Sequence, residues 1–264
     1  MTQPTVADAA LSVESLSVYL GGREILKSGA ISFSIASGEI VALLGPNGSG
    51  KSTLIRALSG LIKKQSGTVK YRGENISSAG AKDLAKIFAH VSQSEQFASA
   101  YTVLESVVMG RYPRLEGFEN YGGADYEAAA DSLQRVSLFG FGDRIVTELS
   151  GGEAARVSIA RALAQDTPVL LLDEPTAALD PKHALEVKRL TKEIAGEGKI
   201  VLAAIHDVNL AIEMADRLIF IKAGAIVADI HSDNVDENIL EDVYEIPWEI
   251  WVMGKGNRRV AMPA

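Results

Sequence analysis

Eight consecutive residues, Gly45-Pro46-Asn47-Gly48-Ser49-Gly50-Lys51-Ser52, follow the spacing glycine, four residues, glycine, lysine, serine. Glycines, lacking Cβ, let successive backbone N–H groups close around phosphate oxygens. A helix beginning near Lys51 would aim its positive dipole end at the same phosphates. Lys51 is then placed to reach the β- and γ-phosphates and Ser52 to hold Mg²⁺. A plain glycine turn before a helix would look similar locally. The apolar strand before this loop and the helical stretch after it are the context that phosphate binding demands.

A second constellation is Val169-Leu170-Leu171-Leu172-Asp173-Glu174. An apolar strand carries two carboxylates out at its C-terminal end, where open α/β sheets bind ligands. Asp173 is expected to hold Mg²⁺, commonly through water, and Glu174 to polarise the water that attacks a γ-phosphate. Alone, such an ending also fits a solvated strand exit; beside the glycine loop it reads as a Walker B motif. The third is Leu149-Ser150-Gly151-Gly152-Glu153, with Arg156, Ile159 and Leu163 following at helical spacing. Ser150 and Glu153 form a capping-box pattern, so a helix starts here, and its exposed Gly-Gly N–H groups suit a second anion.

The elements that must position these residues alternate between two periods. Leu16, Val18 and Leu20 alternate with Ser15, Ser17 and Tyr19, which predicts a strand. Gly21-Gly22 and Ser37-Gly38 are turns, with strands at Ile25 and at Ile31 to Ile35 between them. Ile40 to Leu44 is a buried strand, Lys51 to Leu61 a helix, and Thr68 to Tyr71 a strand. From Ser94 to Glu148 the period becomes helical, as at Val103, Val107 and Val108 and at Ala129, Leu133 and Val136. Gly117 to Asp125 is predicted as a loop between two of these helices. Asp180-Pro181 starts a helix with Asp as N-cap, and Val187, Leu190 and Ile194 give it one apolar stripe. Ile200 to Ile205 is the next buried strand.

Composition narrows the class. A chain of 264 residues suits one large α/β domain or one domain with an inserted lobe. Cysteine is absent, which excludes disulfides and thiolate chemistry. The net charge of −8 counts against a nucleic-acid partner, which usually requires a basic face. Met1 to Ala10 carries neither a basic segment nor an apolar core, so a signal peptide is not expected. No apolar run approaches the roughly 20 residues that span a bilayer, so any membrane role is expected to be indirect.

The glycine loop, the LSGG signature and LLLDEP, in this order, resemble the ATP-binding cassette family over nearly the whole chain. The resemblance implies an α/β fold: a P-loop NTPase core sheet, an N-terminal antiparallel β subdomain and an inserted helical subdomain. The expected division of residues 1–264 is 11–93 and 165–230 for the core with its β subdomain, 94–164 for the helical signature subdomain and 231–264 for a short C-terminal extension.

It also implies ATP and Mg²⁺ as ligands and a head-to-tail homodimer with two sandwiched nucleotides. ATP would lie on Tyr19, Gly45, Pro46, Asn47, Gly48, Ser49, Gly50, Lys51, Ser52 and Thr53. The partner copy would add Ser150, Gly151, Gly152 and the D-loop residue Asp180 of Ala178-Leu179-Asp180. Tyr19 lies where the family stacks an aromatic ring on adenine. Gln93 resembles the Q-loop glutamine that senses Mg²⁺ and water, and His206 the switch histidine that contacts the γ-phosphate. Lys51, Gln93, Glu174 and His206 would form the catalytic set; Ser52, Gln93 and Asp173 would hold Mg²⁺. Glu153 departs from the more usual glutamine, and as a third helical residue it favours the helix dipole.

Gly110-Arg111-Tyr112-Pro113 resembles the subfamily that energises uptake of ferric siderophores, haem and cobalamin; locally it is also a simple Gly-then-Pro helix stop. That resemblance implies an integral membrane permease dimer as partner, a substrate-binding protein met only indirectly, and a peripheral position on the cytoplasmic face of the cell membrane. The alternative left open is a soluble, non-transport ATPase of the same family, such as one for iron–sulfur assembly.

Overall fold

The computed structural model describes residues 9–93, 100–117, 119–177, 179–253 and 258–264. Residues 1–8 of the stretch read for a signal peptide, the start of the predicted helical segment at 94–99, Phe118 and Ala178 of the D-loop lie outside the described residues.

β1 (Leu11–Leu20) turns at Gly21-Gly22 into β2 (Arg23–Leu26) and also pairs with β3 (Phe33–Ile35). β4 (Ile40–Leu44) leads through the glycine loop into α1 (Lys51–Leu58). β5 (Ser66–Tyr71) and β6 (Glu74–Asn75) complete an antiparallel sheet with β1 to β3. After α2 (Ala81–Leu84) and β7 (Phe88–Val91) come α3 (Val103–Val108), a 3₁₀ segment at Met109–Arg114, α4 (Gly123–Arg135) and α5 (Gly151–Gln165). The chain returns through β8 (Val169–Asp173), α6 (Pro181–Gly196), β9 (Ile200–Ala204), α7 (Val208–Met214), β10 (Arg217–Lys222) and β11 (Ala225–His231). α8 (Glu237–Tyr244) and the hairpin β12 (Trp248–Met253) with β13 (Arg258–Pro263) follow.

The second sheet has the order β11-β10-β4-β9-β8-β7 and is parallel except at β11. β4, β8 and β9 are buried along their whole length, as continuous apolar runs require of strands covered on both faces. Their side chains alternate between two cores. Val41, Leu43, Leu171 and Leu202 face α1 and the antiparallel sheet, while Ala42, Leu44, Leu172 and Ala203 face the layer of α5, α6 and α7. The parallel strands of this sheet open their carboxyl ends along one edge, the usual ligand edge of the architecture. The glycine loop, Gln93, Asp173-Glu174 and His206 all follow strands of this sheet there.

Four details differ from the sequence reading. β1 does not keep strict alternation: Ser17 is buried and Leu20 is 42% exposed. Ser15 takes φ 51°, and the pairing register shifts between Val18 and Tyr19, so the phase changes within the strand. Ser17 is buried without penalty because its Oγ lies 2.7 Å from Ser66 Oγ. Ile31 is buried but precedes β3. α1 stops at Leu58, three residues early, because Gly60 adopts φ 77°. Finally, α4 begins inside the predicted loop, at Gly123, where the Asp125 carboxylate accepts the Gly122 N–H at 2.9 Å and caps the first turn.

The Gly-then-Pro helix stop does not form: α3 runs on into the 3₁₀ segment, which contains both Gly110 and Pro113, and Gly110 serves packing instead. A Cβ there would lie 2.2 Å from the Arg161 carbonyl oxygen, so the 3₁₀ segment rests directly on the α5 backbone. Among the described residues, no helix is long and apolar enough to cross a membrane.

Candidate active site

The glycine loop has a backbone that side chains would forbid. Gly45, Gly48 and Gly50 take φ 140°, 76° and 113°. A Cβ on Gly45 would lie 2.0 Å from the Ile221 carbonyl oxygen, and one on Gly50 2.7 Å from Leu26 Cδ2. The loop is therefore clamped between β10 and β2. Lys51, 5% exposed, donates from Nζ to the carbonyls of Gly45 at 2.7 Å and Pro46 at 3.2 Å. Burial pulls its ammonium below the ordinary lysine range, and the nearby carboxylates of Glu174 and Asp173 oppose that shift. An anion held in the loop would add to their attraction.

Asp173 ends β8 fully buried. Its Oδ1 accepts from Ser52 Oγ at 2.7 Å; its Oδ2 has no hydrogen-bond partner among the described residues, and Arg56 Nη2 stands 3.9 Å away. A buried carboxylate oxygen left over next to a hydroxyl oxygen suits a hard cation. Among the described residues no group of three or more His, Asp or Glu side chains could hold a metal. Mg²⁺ takes one or two protein oxygens and completes its shell with water and phosphate, so the Ser52 and Asp173 oxygens suit it by their chemistry.

Glu174 follows with φ 54°, a conformation that a non-glycine residue holds only when its surroundings fix it. Its N–H donates to the Ala204 carbonyl at 3.0 Å, tying it to β9. Its Oε1 lies 2.5 Å from His206 Nε2 and its Oε2 accepts from Gln93 Nε2 at 2.5 Å. The sheet thus gathers Gln93, Glu174 and His206 from the ends of β7, β8 and β9. Glu174 and His206 form one wall of a cleft of ≈ 280 Å³. The loop residues Asn47 to Thr53 line it too, as do Leu20 and Ile25.

Other residues singled out from the sequence stand elsewhere. Tyr19 does not line the cleft; its strand neighbour Leu20 does. The Tyr19 hydroxyl faces Glu24, its cross-strand partner, whose carboxylate raises the phenol above its ordinary range. The wall residues Leu20 and Ile25 escaped sequence reading because only the pairing of β1 with β2 brings them together.

Ser150, Gly151 and Gly152 open α5 on an exposed surface away from the cleft. Asp180 caps α6 by accepting the His183 N–H at 2.9 Å, a bond that lowers its carboxyl, and His183 Nδ1 lies 2.9 Å from the same oxygen. Its chain neighbours Leu179 and Pro181 line a second cavity of ≈ 420 Å³, together with Ala184, Glu174 and His206, but Asp180 itself does not. Arg144, which sequence reading passed over, lies with its guanidinium carbon 4.0 Å from the Phe141 ring centre and Nη1 3.6 Å from Glu153 Oε1.

A sequence-family profile described as ABC transporter matches residues 29–177. The chain is 40% identical over 237 residues to the hemin import ATP-binding protein HmuV of Streptomyces coelicolor, covering 89% of this chain and 83% of that protein. It is 35% identical over 254 residues to the iron(3+)-hydroxamate import ATP-binding protein FhuC of Bacillus subtilis, covering 96% and 94%. Its fold superposes on a subunit of a metal-chelate type ABC transporter in an inward-facing conformation, with a TM-score of 0.84, 27% identity and coverage of 97% and 98%.

Proposed function

Because this chain belongs to the ABC transporter family, we propose that it is the ATP-hydrolysing subunit of an importer that drives a metal chelate through partner membrane permeases. The cargo is an iron complex, siderophore or haem, or the cobalt chelate cobalamin. The observation that carries the catalytic part is Glu174, held between Gln93 and His206 where it lines the glycine-loop cleft.

The work of each residue follows from its position. The loop from Gly45 to Thr53 holds the phosphates through the backbone N–H groups that follow Pro46, and Lys51 turns its ammonium from the Gly45 and Pro46 carbonyls toward them. Ser52 and Asp173, with Gln93, hold Mg²⁺, which supplies charge neutralisation at the phosphates when bound. Glu174 takes the proton of the attacking water, while His206 and Gln93 fix its two oxygens. Catalysis of this kind is mostly positioning and electrostatics.

Two copies join head to tail, so that Ser150, Gly151, Gly152 and Asp180 of each complete the cleft of the other. Tyr19 swings onto the adenine from the rim. Residues 11–93 and 165–230 form the core with its β subdomain, 94–164 the signature lobe and 231–264 the C-terminal extension. The pair sits on the cytoplasmic face of the membrane against a permease dimer, and a separate binding protein selects the cargo.

Uptake tests this reading. Labelled ferric siderophore, haem and cobalamin are offered to a deletion strain of the source organism carrying wild type or Glu174→Gln. Loss of one uptake, restored only by wild type, is the expected outcome. Normal uptake of all three in the deletion strain would move the chain to another cargo or to a soluble iron–sulfur assembly ATPase.

A further inference from the structure

The start of α5 holds a charge that the two-copy reading leaves without a role. Glu153 Oε2 accepts two hydrogen bonds from the same residue, from the Ser150 N–H at 2.8 Å and from the Ser150 hydroxyl at 2.7 Å. A carboxylate only accepts, so the Ser150 proton must point at Glu153. The Glu153 N–H in turn approaches Ser150 Oγ at 3.3 Å. The other carboxylate oxygen faces Arg144 at 3.6 Å, and Arg144 is braced on Phe141.

We propose that Glu153 is a brake on closure of the nucleotide sandwich: it occupies the Ser150 hydroxyl proton that the partner copy's γ-phosphate needs, and Arg144 sets how firmly. The inference rests on the head-to-tail reading. An incoming phosphate meets a serine whose only hydroxyl hydrogen is already given to an anion. It also meets that anion, which repels it. Closure therefore requires an exchange: Ser150 leaves Glu153 for the phosphate, and Glu153 keeps only the backbone N–H and Arg144. Ser150's own bonds hold the Glu153 carboxyl below its usual range, so the charge persists at neutral pH. A glutamine would act differently. Its carbonyl can accept the Ser150 N–H while its amide donates to Ser150 Oγ, which leaves the hydroxyl hydrogen free.

The experiment measures ATP-dependent dimerisation of the full chain by light scattering, in a Glu174→Gln background that binds without turning over. Glu153→Gln is expected to lower the half-saturating ATP by about tenfold, the scale of one hydrogen bond to a charged group. Arg144→Gln is expected to raise it, because Glu153 is left uncompensated. In a Ser150→Ala background the Glu153 exchange is expected to shift it clearly less, because only the repulsion of the anion is then left to remove; an equal shift would overturn the claim on the hydroxyl proton. An unchanged or higher ATP requirement in Glu153→Gln overturns the proposal. Should that variant melt early, the Arg144→Gln shift decides alone, and a fall or no change overturns it. A Glu174→Gln parent that stays monomeric at saturating ATP and Mg²⁺ would instead refute the two-copy reading, and the brake with it.

Discussion

His206 Nε2 stands 2.5 Å from Glu174 Oε1, on the far side of the carboxylate from Gln93, whose Nε2 meets Oε2 at the same distance. Both oxygens are held by side chains that arrive from neighbouring strand ends, and the backbone beneath is fixed in the left-handed region at φ 54°. Glu174 therefore has little freedom to rotate. A base so placed contributes by position as well as by basicity.

Replacing the base while keeping its shape isolates that role. Glu174→Gln can still meet Gln93 and His206 but cannot take a proton. Turnover is expected to fall by at least about 100-fold, the lower range for a general base. ATP binding should survive, since the glycine loop is untouched. Steady-state phosphate release together with a nucleotide titration checks both; retained turnover would remove Glu174 from the chemistry.

His206 acts through Glu174 as well as on its own. In His206→Ala one carboxylate oxygen loses its partner, and hydrolysis is expected to collapse toward the level of Glu174→Gln. Groups that work as a unit are non-additive. The double variant should therefore be slower than either single one by no more than a few-fold. Fully multiplicative losses would mean that the two side chains act independently.

Gly45 and Gly48 separate space from backbone strain. A Cβ at Gly45 would strike the Ile221 carbonyl at 2.0 Å, whereas one at Gly48 meets nothing within 4 Å and suffers only its φ of 76°. Gly45→Ala is expected to lose ATP binding by more than tenfold and to melt lower, with about 1–3 kcal/mol of overpacking. Gly48→Ala should lose less on both counts. Thermal melts with and without ATP compare them; equal losses would deny the close approach of the loop to β10.

How much of this was legible in the sequence depended on how local each feature is. The glycine loop, the Asp173-Glu174 strand exit and the Ser150 capping box are carried by neighbours within a few residues, and each appears where its spacing put it. The phase change inside β1 was not legible, because it comes from a left-handed Ser15 and a shifted pairing with β2. The same pairing placed Leu20 and Ile25 on the cleft wall. The early start of α4 depends on one carboxylate, Asp125, reaching back to Gly122. The contact of Arg144 with Glu153 spans nine positions and a change of direction, which no periodicity reports.

Asp125 should give α4 and its surroundings a measurable acid sensitivity. The Gly122 N–H foremost, and then Arg111 at 3.0 Å, lower its carboxyl below the usual range. A folded-state value below the unfolded one means stability that is present above the unfolded pKa of about 3.9 and lost as pH falls through the folded value. Asp125→Asn is expected to lower the melting temperature at pH 7 and to flatten its decline below about pH 4. Parallel melting curves for the two proteins down to pH 3 would contradict this.

The strongest test of the two-copy site uses two inactive chains. Ser150→Arg places a bulky cation at the start of α5, remote from the cleft of its own chain. It should bind ATP normally and hydrolyse none. Lys51→Ala removes the ammonium that spans the loop carbonyls and should fail at the phosphates while keeping an intact signature helix. If each cleft is finished by the other copy, mixing them builds one complete site from the loop of the Ser150→Arg chain and the Ser150 of the Lys51→Ala chain. Activity should reappear on mixing and peak at a one-to-one ratio. A mixture as inactive as its components, despite folded chains and ATP bound to the Ser150→Arg copy, would place the signature residues in service of their own chain or of none.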